Sequence, residues 1–109
     1  MKAVVLHELG GPDKILIEEI ATPVPQAGEV RVALKACALN RRDVWITVGA
    51  YPRIKFPVVS GSDGAGIIDA IGTGVDSAWL GREVVIYPAR EWGDDPRCGG
   101  RRGDPRRLV

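Results

Sequence analysis

The apolar positions of this chain fall into short runs separated by turn residues. Residues 2–6, Lys-Ala-Val-Val-Leu, form a compact β-branched run that Gly10-Gly11-Pro12 closes with a turn signal. Residues 15–20 predict a second strand, and residues 21–28, with Pro23, Pro25 and Gly28, a loop. Val30, Val32 and Leu34 then alternate with Arg31, Ala33 and Lys35, which is the period of a half-buried strand. From Ala36 to Leu39 the run becomes apolar on both sides. That end is expected to enter the interior.

The next segment changes period. Asn40 is a good helix N-cap, and Asp43, three positions on, sits in the first turn, where a carboxylate is favoured. Val44, Trp45 and Val48 have helical spacing and Gly49 is a stop, so a short helix is predicted over residues 41–48. Residues 50–59 make a proline-bounded loop holding Tyr51, Pro52, Phe56 and Pro57. Gly61, Gly64 and Gly66 lead into the apolar positions Ile67, Ile68, Ala70 and Ile71, a pattern of backbone packed tightly against a neighbour. Gly72-Thr73-Gly74 is a turn, and residues 83–87 predict a last strand ended by Pro88. About six short strands, one short helix and no long crossover helices argue for a mainly β, antiparallel, barrel-like fold.

Composition narrows the class. The chain has 109 residues, room for one domain, with 45% hydrophobic and 27% charged residues, as ordinary globular domains have. Its 14 glycines and 8 prolines favour strands and turns over a helical bundle. A formal net charge of +1 gives no reason to expect a nucleic-acid or membrane partner. Cys37 and Cys98 make no CxxC and no disulfide framework and read as reduced thiols. The N-terminal apolar run is too short for a secretory signal, and no stretch approaches the roughly 20 residues needed to span a bilayer. The expected location is the cytoplasm.

After Pro96 the character changes. Residues 97–109 carry five arginines, three glycines and one proline, with almost nothing apolar before Leu108 and no helix or strand period. Two readings stay open for this Arg/Gly-rich tail: a disordered end, or an out-of-frame continuation of GC-rich coding sequence.

Several segments together resemble one family. The start Met1-Lys2-Ala3-Val4-Val5, the Gly-Gly-Pro turn, the entry Gly28-Glu29-Val30-Arg31-Val32, the run Ala38-Leu39-Asn40-Arg41-Arg42-Asp43, and Pro57 to Gly66 followed by Ile71-Gly72-Thr73-Gly74-Val75 are similar to the N-terminal, GroES-like catalytic domain of the medium-chain dehydrogenase/reductases. The order and spacing of these segments carry the match, which covers residues 1–96. The resemblance implies a partly open GroES-like β-barrel with one short helix. It also implies that the domain is truncated and that a nucleotide-binding domain follows in the parent.

Zinc members of that family carry a cysteine ligand just before the short helix and Gly-His-Glu at the later turn. Here those positions read Asn40 and Gly61-Ser62-Asp63. An amide and a hydroxyl poorly replace the thiolate and imidazole that Zn²⁺ prefers. Cys37 lies three residues before the ligand position, Cys98 alone cannot build a structural zinc lobe, and His7, the single histidine, reads as a surface or turn residue. No zinc is expected. The pattern is nearest to the zinc-independent quinone oxidoreductase branch, which includes zeta-crystallin and implies hydride transfer from NADPH to a small quinone or enone. By resemblance, Asn40 and Tyr51 border the cofactor, and Asp43, Ser62 and Asp63 are structural residues near the cleft. No catalytic residue is assigned.

The residues themselves offer simpler roles beside these. Asn40 caps the helix, Asp43 hydrogen-bonds locally, Tyr51 and Trp45 pack in the core or rim, and Arg41 and Arg42 form a solvated helix face or, less well supported, reach a cofactor phosphate. Ser62 has no histidine to activate it as a nucleophile. Gly64-Ala65-Gly66 precedes a strand, so it is no dinucleotide fingerprint. Two alternatives stand beside the reductase: a zinc-containing alcohol dehydrogenase and a non-enzymatic GroES-like interaction module. The parent is expected to be a homo-oligomer. This chain alone is expected to be inactive and, with unpaired strand edges and exposed apolar cleft surface, to self-associate.

Overall fold

The computed structural model describes residues 1–88. The expectations for residues 97–109, Cys98 included, lie outside the described residues. Six strands, one α-helix and two single 3₁₀ turns occur in the order β1 (Lys2–Leu6), a turn at Pro12–Lys14, β2 (Ile15–Glu19), β3 (Val30–Ala38), α1 (Arg41–Thr47), β4 (Val58–Val59), β5 (Asp63–Ile71), a turn at Ser77–Trp79, and β6 (Glu83–Val85). The strands pair into two three-stranded sheets, β2-β1-β4 and β3-β5-β6. The mainly β class with one short helix agrees with the sequence pattern.

The chain divides into two compact units. Unit 1 comprises Met1–Thr22 and Cys37–Ser62. Its sheet is antiparallel throughout, β1 pairing β2 from Lys2↔Glu19 to Leu6↔Ile15 and pairing β4 at Val5↔Val59 and Leu6↔Val58. Ala3, Val5 and Leu6 of β1 are buried, and Ile46 of α1 and Thr47 beside it are buried as well. The period-2 alternation of β1 places Ala3 and Val5 inward and Lys2 and Val4 outward, and Leu6, on the latter face, is buried as well. Gly10 N–H donates to the Thr47 carbonyl at 2.9 Å, tying the loop after β1 to the end of α1. His7 is exposed on that loop, its Nε2 2.9 Å from a Glu18 carboxylate oxygen, the surface position expected of it.

Unit 2 comprises Pro23–Ala36 and the chain from Asp63 onward. Here β5 is the central strand, with β6 antiparallel to it at Ala65↔Val85, Gly66↔Val84 and Ile67↔Glu83. Among the described residues, Val30 and Ile68 are its buried apolar side chains. The expected tight packing is present at Gly64 and Gly66, which stand inside β5 and do not merely lead into it; Gly61 precedes the strand and is not crowded. A Cβ on Gly66 would strike the Ala33 carbonyl of β3, and one on Gly64 would come within 2.7 Å of the Leu34 side chain. Gly72 N–H donates to the Glu29 carbonyl at 2.8 Å, and a Cβ there would strike the Gln26 carbonyl. Arg31 Nε donates to Asp69 Oδ1 at 2.8 Å, and its Nη1 to the Pro23 carbonyl at 3.2 Å.

One expectation is corrected. The end of β3 does not enter the interior: Ala36 to Leu39 are exposed, Leu39 to 85%. Its two-sided apolar character meets no covering layer among the described residues. Leu34, expected on the buried side of the alternation, is also exposed, to 56%.

Candidate functional site

Helix α1 begins where the sequence places its cap. Asn40 is extended (φ −118°, ψ 160°) and forms a capping box with Asp43, the third helical residue. Asp43 Oδ2 accepts from the Asn40 backbone N–H at 2.8 Å. The other oxygen, Oδ1, accepts from the Gly61 backbone N–H at 2.9 Å, eighteen residues along the chain. Asp43 is only 7% exposed. A buried carboxylate needs hydrogen bonds to offset its desolvation, and each oxygen here receives a backbone donor. One side chain therefore fixes two parts of unit 1, the start of α1 and the turn after β4.

That turn requires glycine for conformation. Gly61 has φ +99°, and an added Cβ there would meet nothing within 4 Å. The amide that Asp43 holds is thus presented by a left-handed backbone. Ser62 follows it, half-buried, at the end of unit 1. Asp63 opens β5 and belongs to unit 2. The structure brings Asn40, Asp43 and the Gly61-Ser62 turn together. It corrects the reading of Asp43 as a purely local hydrogen-bonder.

At the far end, α1 stops at Val48, and Gly49 follows with φ +77°, as the sequence indicated. The loop beyond carries Tyr51, half-buried. The Arg42 guanidinium carbon lies 4.9 Å from the centre of the Tyr51 ring. Of the two adjacent arginines, Arg41 is exposed and Arg42 is half-buried against this ring, so only Arg41 is the solvated face residue. Trp45 is 48% exposed, on the rim and not in the core. Sequence reading missed two features: the Gly61–Asp43 bond and the Arg42–Tyr51 contact. The spacing of an arginine and a tyrosine nine residues apart has no helical meaning once a loop intervenes, so no local signal could have found the second.

Among the described residues no three His, Cys, Asp or Glu side chains gather where they could hold a metal ion. Cys37 is a free thiol, exposed near the end of β3. No helix among the described residues is long and apolar enough to cross a membrane.

Comparison with known proteins decides the family. The alcohol dehydrogenase GroES-like domain family matches residues 26–107. The chain belongs to that family. Its GroES-like domain is that of the medium-chain dehydrogenase/reductases, as the motifs from Met1 to Val75 implied. A zinc-type alcohol dehydrogenase-like protein of Schizosaccharomyces pombe is 46% identical over 87 residues, which is 78% of this chain and 25% of that protein. The crystal structure of an NAD-dependent alcohol dehydrogenase superposes with a TM-score of 0.79 at 44% identity, covering 90% of this chain and 29% of that one. Escherichia coli quinone oxidoreductase in complex with NADPH gives a TM-score of 0.75 at 30% identity, covering 83% of this chain and 28% of that one. The GroES-like chain thus spans about a quarter of the length of the relatives it matches.

Proposed function

We propose that this GroES-like chain is the catalytic-domain part of an NADPH-dependent oxidoreductase that reduces quinones or activated alkenes and carbonyls, and that it works without zinc. The observation that carries the reading is the use of Asp43. In the zinc branch of the family the matching carboxylate orients a metal-binding histidine, as groups outside a metal's own ligands do. Here Ser62 stands at the histidine position, Asn40 at the cysteine position, and both Asp43 oxygens already accept backbone N–H groups at 2.8 and 2.9 Å. An amide, a hydroxyl and a committed carboxylate are a poor donor set for Zn²⁺.

The same residues suit a nicotinamide. Asn40 and Tyr51 are half-buried, and Asn40 opens the helix start that Asp43 pins, which is the condition for a firm wall against a planar ring. NADPH, when bound, would supply the hydride. The chain's part is to border the ring with Asn40 and Tyr51 and to hold the Asn40 side of that border in place through Asp43 and the Gly61-Ser62 turn. Support for the quinone reading comes from the NADPH complex of the E. coli quinone oxidoreductase, which shares this fold at 30% identity. The remaining parts of the reading are that the nucleotide-binding half lies outside these residues, that the parent is a cytoplasmic homo-oligomer, and that the chain alone is inactive and self-associates.

A zinc alcohol dehydrogenase is the second reading, favoured by the name of the S. pombe relative. Joining the chain to a nucleotide-binding domain, stripping metals with a chelator and following NADPH oxidation with a quinone or enone separates the two. Undiminished turnover in the metal-free protein is expected. Turnover that vanishes on chelation and returns with Zn²⁺ would establish the zinc enzyme instead. For the chain alone, titration with NADPH is expected to give no micromolar affinity.

A further inference from the structure

We propose that Arg42 is the positioning residue for Tyr51, setting the orientation of its ring at the candidate cofactor site. This rests on the reading that Tyr51 borders the nicotinamide. The first turn of α1 is the best-fixed part of the site, because Asn40 and Asp43 close a capping box and Asp43 also binds the Gly61 amide at 2.9 Å. Arg42 sits inside that turn, between the two box residues. Tyr51 sits on the loop after Gly49, where no helix or strand holds it. The guanidinium lies 4.9 Å from the ring centre, within the range of a cation–π contact. Arg42 is half-buried while its neighbour Arg41 is exposed, so the contact selects one arginine of the pair. A planar, delocalised cation stacked on a ring restricts the ring's tilt as well as its distance, which an ammonium does less well. Order thus passes from the buried carboxylate to the helix start, to Arg42, and to the half-buried aromatic side chain on the loop.

Two measurements test this, and they fail separately. In NMR spectra of the chain, the Arg42 side-chain methylene protons are expected to be shifted upfield by the Tyr51 ring. The shift should persist in Tyr51→Phe and vanish in Tyr51→Leu. Arg42 resonances at ordinary positions in the unmutated chain would overturn the proposal. In the two-domain enzyme, Arg42→Leu is expected to lower kcat/KM about two- to fivefold, with partial rescue by Arg42→Lys. It is expected to have no further effect in a Tyr51→Leu background, because Arg42 acts through the ring. Additive, salt-sensitive losses would show a direct ionic contact to the cofactor and overturn the positioning role. If Tyr51→Leu leaves kcat and KM unchanged while the NMR shift is present, the placement of Tyr51 at the cofactor site is what fails.

Discussion

The two units each depend on a glycine, and Gly61 and Gly66 are required for different reasons. In unit 1, Gly61 is required for its dihedral angle: φ is +99° and the space where a side chain would go is open. Its amide is then caught by a buried side chain, Asp43 Oδ1. In unit 2, Gly66 is required for its size, since a Cβ would run into the Ala33 carbonyl on the neighbouring strand. There the strands meet backbone to backbone, and the charged pair Arg31–Asp69 lies at the surface. Asn40, Asp43 and the Gly61-Ser62 turn thus lie where a polar side chain does the fastening, and the closest strand packing where glycine does. A side-chain fastener can be exchanged for another chemistry without rebuilding the fold. A steric one cannot.

Substitutions can break this contrast. The largest effect is expected at Gly66: Gly66→Ala should cost about 3 kcal/mol in urea or thermal unfolding, because the obstacle is backbone that must move. Gly64→Ala should cost less, about 1 kcal/mol, since the atoms met there are the ends of the Leu34 and Ile86 side chains. Equal costs at the two positions would remove the steric argument for unit 2.

Next in size is Asp43→Ala, which leaves two part-buried N–H groups without their acceptor. A loss of about 2 kcal/mol is expected, with Asp43→Asn intermediate because one amide oxygen can still accept. A loss below about 0.5 kcal/mol, the range of ordinary surface substitutions, would mean that the carboxylate is not the fastener. Gly61→Ala should follow at about 1 kcal/mol from backbone strain alone, with no contribution from crowding.

The smallest effect is electrostatic. The Arg31 guanidinium holds the Asp69 carboxyl below its ordinary value, chiefly through the hydrogen bond at 2.8 Å and secondarily through charge attraction, against the opposing desolvation. A depressed carboxylate contributes stability above its unfolded value, and that contribution disappears as pH falls through the folded one. Asp69→Asn should therefore reduce the acid sensitivity of unfolding below about pH 4 and leave the neutral region nearly unchanged. The pair is solvent-exposed, so the slope, and not the neutral-pH stability, is the quantity to measure.

Much of this was legible in the amino-acid pattern because it is local. The cap at Asn40, the first-turn Asp43 and the stop at Gly49 each depend on neighbours within a few residues, whereas the alternation of Val30 to Lys35 located β3 but not its buried side, since Leu34 is exposed. The two-residue strand Val58–Val59 was not legible, because so short a segment has no period and is defined only by pairing with Val5 and Leu6. The second bond of Asp43 joins residues eighteen apart and leaves no trace in spacing. Leu39 misled for a different reason: a two-sided apolar run asks for two covering layers, and the described residues do not supply them. The residue substitutions at Asn40 and Ser62 were visible at once, but the consequence for Asp43 needed its hydrogen bonds.

Hydrogen exchange at the amides of Asn40 and Gly61 tests the central claim, that Asp43 is a backbone fastener and not support for a metal ligand. Both amides are expected to be protected in the chain, and both to lose protection together in Asp43→Ala while the β5 amides keep theirs. A Gly61 amide that exchanges at the unprotected rate in the unmutated chain would contradict the account.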